Sequence, residues 1–182
     1  MAAEIETLKD LYIGHLKDLY SAENQITKAL PRIIKKVTSP DLKKGLEEHL
    51  NQTINQVERL NQIFEALGTS PRGKKCVGME GVLEEGKEAM AEKVSSTDLM
   101  DAALIAASQK VEHYEISGYG TARAFAKLLG EDEAVNLLSQ TLEEEKAADE
   151  KLTKLGLNII NIDALQGLKG QARSMSSRQQ RA

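Results

Sequence analysis

YIGHLKDLYSAENQITKAL, residues 12–30, decides the fold. Tyr12, Leu16, Leu19, Ile26 and Leu30 follow one another in helical steps, provided that Glu23 is counted as a member of the row. The stretch therefore predicts an α-helix with a carboxylate on the face that packs inward. Extended outward, the row takes in Leu8 and Ile33, so the helix should run from about Ile5 to Val37. Pro31 falls inside it and favours a kink one turn earlier.

The rest of the chain repeats the pattern. Ser39-Pro40-Asp41 reads as a break followed by a new helix start. A second helix is expected from about Asp41 to Leu67, with Leu42, Leu46, Val57, Leu60, Phe64 and Leu67 inward and Gly68 ending it. Between Thr69 and Thr97 four glycines (Gly73, Gly78, Gly81, Gly86) interrupt the periodicity, although Val82, Leu83 and Met90 fit a short helix. This segment is too long for a tight turn and reads as a crossover along the outside. A third long helix, capped by Thr97 or Asp98, reaches Leu129 and stops at Gly130, with Ile105, Ser108, Tyr119, Ala122, Ala126 and Leu129 inward. A fourth runs from about Asp132 to Ile160, with Ala134, Leu138, Thr141, Leu142, Leu152 and Leu155 inward. Two short-loop hairpins joined by one long connection predict an all-α, ferritin-like four-helix bundle over residues 1–163. Residues 164–182 are polar, and their charges (Lys169, Arg173, Arg178, Arg181) are all basic, so a disordered, solvated tail is expected.

Composition narrows the function. The 182 residues are 41% hydrophobic and 29% charged with a formal net charge of -4, which suits one globular domain and argues against nucleic-acid binding. No apolar run is long enough for a membrane span. A single cysteine, Cys76, forms no internal disulfide and builds no iron–sulfur motif, and with no apolar leader in view a cytoplasmic location is expected. Neither a glycine-rich phosphate loop nor a G-x-S-x-G nucleophile motif occurs.

The informative residues are the polar ones inside the apolar rows. Glu23 interrupts the first helix. His49, Thr53 and Gln56 interrupt the second, with Gln52 at the edge. Glu112 and Glu115 interrupt the third, and Glu145 and Asp149 the fourth. Folding the first helix back at Ser39-Pro40 brings Glu23 level with Gln52 to Gln56. Folding the third back at Gly130 brings Glu112 level with Glu145 to Asp149. Each hairpin thus presents a lone glutamate on one helix level with a polar pair at i and i+4 on the next, a pseudo-two-fold pattern although the residues at equivalent places differ.

Five carboxylates (Glu23, Glu112, Glu115, Glu145, Asp149) do not share a small interior in ionised form without cations, because each buried unpaired charge costs several kcal/mol. Two divalent metals carry the balancing charge, and residues at i and i+3 or i+4 reach one metal pair. Oxygen ligands with one histidine suit iron or manganese, with zinc as a further occupant. Taken singly, each residue also has a plain reading. Glu23 fits a core-edge glutamate paired with a lysine, Glu112 and Glu115 a solvated flank, Glu143-Glu144-Glu145 a solvated run, and His49 a hydrogen-bonded core histidine. Tyr20 and Tyr119, one turn from Glu23 and Glu115, are placed either to donate hydrogen bonds to carboxylates or simply to pack.

Several blocks in order resemble a known family: DLYSAENQ (18–25), HLNQT (49–53) with QVER (56–59), KCVGMEG (75–81), DAALIAA (101–107), VEHYE (111–115) and TLEEEK (141–146). They resemble the bacterial YciE/YciF family over nearly all of the chain up to about residue 160. The resemblance implies a ferritin-like fold related to rubrerythrin, a role in stress responses, a homodimer and a two-metal site. It carries Glu23, the pair Glu112 and Glu115, and Glu145 onto the family's glutamates, and puts Asp149 near the position of a histidine in rubrerythrin-like proteins. The second helix departs from the pattern, with Gln52 where relatives often have glutamate and His49 upstream of the usual E-x-x-H histidine.

Two readings follow. In the first, a di-iron or di-manganese centre held by Glu23, His49, Gln52, Gln56, Glu112, Glu115, Glu145 and Asp149 reacts with oxygen or peroxide. In the second, the chain is a non-enzymatic dimeric bundle with a weak, vestigial or structural metal site, because a glutamine in place of a carboxylate removes charge from the ligand set.

Overall fold

The structure is a computed structural model, and it describes residues 5–167. Helices α1 (Leu8–Lys36) and α2 (Pro40–Ala66) form one hairpin, α4 (Thr97–Leu129) and α5 (Asp132–Leu155) the other, and α3 (Val77–Ala91) lies in the crossover. Packing of α1 on α2 and α4, of α5 on α2 and α4, and of α3 on α1 and α4 makes the bundle and its outer helix. This is the ferritin-like layout that the loop lengths predicted.

Local chemistry sets the helix ends. Thr7 and Asp10 form a capping box at the start of α1, with Asp10 N donating to Thr7 Oγ1 at 3.1 Å and Thr7 N to the Asp10 carboxylate at 2.9 Å. Ser39 caps α2 with Pro40 in its first turn. Ser96, rather than Thr97 or Asp98, caps α4 by accepting from Leu99 N at 3.2 Å. Gly130 closes α4 in the left-handed region at φ 74°, where a side chain would be strained.

The fourth long helix does not end at Ile160. A π turn, Gly156–Ile160, interrupts it, and helix resumes over residues 161–167. An α-helix turns 100° per residue, so a row spaced by four drifts off its face. The wider π turn rotates the row Leu152, Gly156, Ile160 and Ala164 back toward Ile105, and all four are buried. Residues 164–167 therefore belong to the helix rather than to the tail in which the sequence placed them; the remainder of that expected tail lies outside the described residues.

The crossover is pinned more tightly than its glycines suggest. Cys76 caps α3, its N–H donates to Ser21 Oγ at 2.9 Å, and its carbonyl accepts from Gln25 Nε2 at 3.0 Å. Its thiol lies 2.9 Å from the Tyr114 hydroxyl, and both are 3.1 Å from Asp18 Oδ2, which accepts from them. Gly78 leaves room for the Tyr114 ring: an added Cβ would stand 2.7 Å from its hydroxyl oxygen. Gly78→Ala should therefore displace Tyr114 and destabilise by about 1–2 kcal/mol despite the gain in helix propensity. Gly81→Ala, which meets nothing within 4 Å, should be neutral or stabilising. Urea titration of both variants, with limited proteolysis of residues 69–97, checks this; equal behaviour would dissociate the Tyr114 contact from the docking of α3.

The apolar core falls into two parts. One gathers Ile26, Leu30, Leu42, Leu46, Leu104 and Ile105; the other gathers Tyr12, Leu16, Leu60, Phe64, Tyr119 and Leu138. Between them lies a slab of buried polar residues from all four long helices: Glu23, His49, Thr53, Gln56, Ser108, Glu112, Glu115, Thr141 and Glu145. Among the described residues no helix is long and apolar enough to cross a membrane.

Candidate metal centre

Each long helix delivers its slab residues from the middle of its length, where the backbone is held by hydrogen bonds on both sides and the side chains are well positioned. One ligand atom each from His49, Glu112, Glu115 and Glu145 lies within 4.8 Å of the others, and all four residues are buried. This is the spacing of groups that share an ion. Glu23, fully buried, joins the set from α1 beside Glu115, and its carboxylate accepts a hydrogen bond from the Tyr119 hydroxyl. The tyrosine thus serves Glu23 rather than Glu115, its neighbour one turn away; Tyr20 instead packs edge-on against Phe64.

The acid groups face one another, with protein donors reaching only one oxygen each of Glu23 and Glu145. Glu115 meets Glu23, and Glu112 meets Glu145. Glu23 Oε2, Glu112 Oε2, Glu145 Oε2 and both Glu115 oxygens have no hydrogen-bonding partner, and neither does either ring nitrogen of His49. His49 Nε2 approaches Glu112 Oε1 at 3.4 Å. Burial, with the neighbouring acids, pushes Glu23 up to about 8 and Glu112 and Glu115 well above the ordinary carboxyl range. Glu145, also raised by burial, reaches about 7. Burial drives His49 down to about 4, so its imidazole is neutral at pH 7 and free to offer a lone pair. Opposed carboxyls in a dry interior share either a proton or a cation. The donor set of four carboxylates and one neutral imidazole fits divalent iron, manganese or zinc, and four negative charges match two divalent ions.

The remaining predicted residues lie around this set. Gln56 is buried and donates through Nε2 to Glu145 and, at 3.0 Å, to Glu144, which leaves its own carbonyl oxygen unpartnered. Gln52 is half-buried beside His49. Asp149 stands at the rim rather than among the converging ligands. Its side chain is 22% exposed and accepts from Gln109 Nε2 at 2.9 Å, with His113 Nε2 at 3.4 Å. The interior therefore holds four acids from the predicted five. His15, two turns before Glu23, contacts the Gly118 carbonyl at 3.0 Å and plays no part in the cluster.

One pairing went unread in the sequence. Arg59 grips Glu144 through two contacts of 2.6 Å each and reaches Thr141 Oγ1 at 3.1 Å. This bidentate pair fixes a cation and an anion beside Glu145, whose charges act on it in opposite senses; the hydrogen bonds with Glu112 and Gln56 are what chiefly offset the effect of burial on Glu145. Its signal was the three-residue spacing from Gln56, which puts Arg59 on the same side of α2.

Comparison with known proteins agrees with this fold. The family model described as a domain of unknown function, DUF892, matches residues 7–165. The protein YciF of Escherichia coli is 44% identical over 158 residues, covering 86% of this chain and 95% of YciF. The crystal structure of that protein, described as a stress protein, superposes with a TM-score of 0.82, covering 86% of this chain and 99% of the other. YcfI of Rhodopseudomonas palustris, for which a structural role has been proposed, matches with the same identity, coverage and TM-score. A Xanthomonas campestris protein that is 18% identical shares the fold, with a TM-score of 0.69 over 91% of this chain and 98% of its own. The chain belongs to the family of YciF-like proteins that the DUF892 model describes.

Proposed function

We propose that this YciF-like chain is a cytoplasmic stress-response protein that binds two divalent metal ions, iron foremost, in the middle of its bundle and reacts there with oxygen or peroxide. The observation that carries the reading is the convergence of four buried carboxyls, which leave Glu23 Oε2, Glu112 Oε2, Glu145 Oε2 and both Glu115 oxygens without a donor, and an unpartnered neutral histidine in one slab. His49, Glu112, Glu115 and Glu145 would hold one ion. Glu23, with its neighbour Glu115, adds the carboxylate needed by a second. Bound reduced iron would supply electrons to the oxidant. Tyr119 orients Glu23 through its hydroxyl, Gln56 and Arg59 orient Glu145 and Glu144, and the two apolar core halves shield the slab from water. The reading includes a homodimer, supported by the exposed apolar residues Leu157 and Ile159 in the π turn and Ile162 and Leu165 after it.

Metal content of the purified protein tests this beside the double variant Glu23→Ala, Glu112→Ala. Iron or manganese near two per chain, lost in the variant, is the expected result, followed by oxygen consumption when ferrous protein meets air. The alternative is a non-enzymatic bundle with a structural or vestigial site. It draws on the neutral Gln52 and Gln56 and on the structural role proposed for YcfI. No stoichiometric metal, with a double variant that folds as well or better, would establish that alternative.

A further inference from the structure

A cavity of about 100 Å³ lies between α2 and α5, and the ligand set alone does not account for it. Its inner end is formed by His49 and Glu112, and its outer end by Glu48 and Lys151, each half-exposed. The space holds roughly three water molecules, enough for a partly hydrated ion and too little for an organic substrate. His49 is 5% exposed, and its unpartnered ring borders this space. The walls are kept open by small residues, Gly45 on α2 and Ala148 on α5. Lys151 lies across the mouth: its Cε would stand 3.4 Å from a Cβ at Gly45, and its Nζ is 2.5 Å from Glu48 Oε2.

The opposite side of the slab offers a contrast. A cavity of about 10 Å³ also touches His49 and Glu112, but Ile26, Leu30, Leu83 and Val111 line it, and the space beyond it under α3 is about 40 Å³ and equally apolar. An ion would lose its hydration there without replacement, at a cost of several kcal/mol. The α2–α5 cavity is lined instead by the carboxylates of Glu48, Glu144 and Glu112, oxygen donors that would offset that loss.

Resting on the metal-binding reading above, we propose that the cavity between α2 and α5 is the route by which a divalent cation reaches His49 and Glu112, with Lys151 as its displaceable cover. The test is the rate at which metal-free protein takes up Co(II), followed by the visible absorption of the bound ion. Ala148→Leu fills the passage and should slow uptake by roughly tenfold or more, since close-packed walls open only through side-chain motion, while the final stoichiometry is unchanged. Lys151→Ala removes the cover and a repelling charge, and should speed uptake severalfold at low salt. Ala107→Leu, in the apolar cavity under α3, should leave the rate alone. Should Ala148→Leu fail to fold, the surface variant Lys151→Ala decides by itself. Wild-type rates in both Ala148→Leu and Lys151→Ala, or equal slowing by Ala107→Leu, would overturn the route while leaving the metal site standing. Failure of the unsubstituted protein to take up Co(II) would overturn both.

Discussion

Asp101→Ala is expected to destabilise the protein by about 2–3 kcal/mol, which lowers Tm by roughly 5–10 °C for a chain of this size. Asp101 lies in the second turn of α4, is 2% exposed, and holds the turn between α1 and α2. One carboxylate oxygen accepts from Thr38 N at 2.9 Å; the other accepts from Thr38 Oγ1 and Ser39 N, both at 2.7 Å. Alanine would strand two backbone donors and a hydroxyl at a turn where Asp101 is buried, Ser39 half-buried and Thr38 exposed. An unsatisfied buried donor costs about 1–3 kcal/mol, and water reaches part of this turn through the exposed Thr38, so the loss comes mainly from Ser39 N and the emptied place of the buried carboxylate. Asp101→Asn keeps one acceptor oxygen and should lose about half as much, because its amide nitrogen meets a donor. Chemical denaturation gives the totals, and hydrogen exchange at Thr38 and Ser39 shows whether the loss is local. A loss below about 1 kcal/mol would mean that water replaces the carboxylate at this turn.

Asp101 also shows where sequence reading stops. It stands in an apolar stretch, DAALIAA, and its partners are two residues of a loop some sixty positions away; nothing in periodicity links them. The bundle itself was legible because its signals are local: apolar steps of three and four, Pro40 after Ser39, Gly130 after Leu129. The π turn was not, because the row Leu152, Gly156, Ile160, Ala164 reads as an ordinary spacing of four until Ile105 is seen to require it. On α2, the inward face runs through His49, Thr53 and Gln56 as expected, but Val57 beside it is half-buried while Ile63, absent from the predicted row, is buried.

The same limits apply to the candidate centre. Glu23, Glu112, Glu115 and Glu145 were visible because a carboxylate inside an apolar row has no propensity reason to be there. Asp149 satisfied that criterion and lies at the rim, since its place on the face is shared with Gln109 and His113 from α4, which only the packing of α4 on α5 reveals. Arg59 was hidden for the opposite reason. A long basic side chain on a helix flank is ordinarily solvated, and its pairing with Glu144 depends on the distance between two helices.

Removing metal is expected to reverse the pH dependence of stability between about pH 6.5 and 8. In the metal-free protein Glu23 rises to about 8 and Glu145 to about 7, while Glu112 and Glu115 are raised well above the usual range, all chiefly by burial. Unfolded, the same carboxyls titrate near 4.3. The folded chain therefore holds more protons throughout this window, and stability falls as pH rises through the folded values. His49 works in the opposite sense, because burial lowers it to about 4, but its contribution is complete once the unfolded imidazole has lost its proton near 6.5. Above that pH the carboxyls act alone, and each extra proton held by the folded state removes about 1.4 kcal/mol per pH unit. Metal displaces those protons, so the loaded protein should hold or gain stability as pH rises, and its affinity for metal should climb. Glu115→Gln, which removes the acid with neither oxygen partnered, should flatten the metal-free curve and raise stability at pH 8 while weakening metal binding. Thermal melts of chelator-treated and metal-loaded protein at pH 6.5, 7.2 and 8 make the comparison. Parallel curves for the two forms would mean that the acids are hydrated enough to ionise without metal, and that the slab is a polar seam between two core halves instead of an ion site.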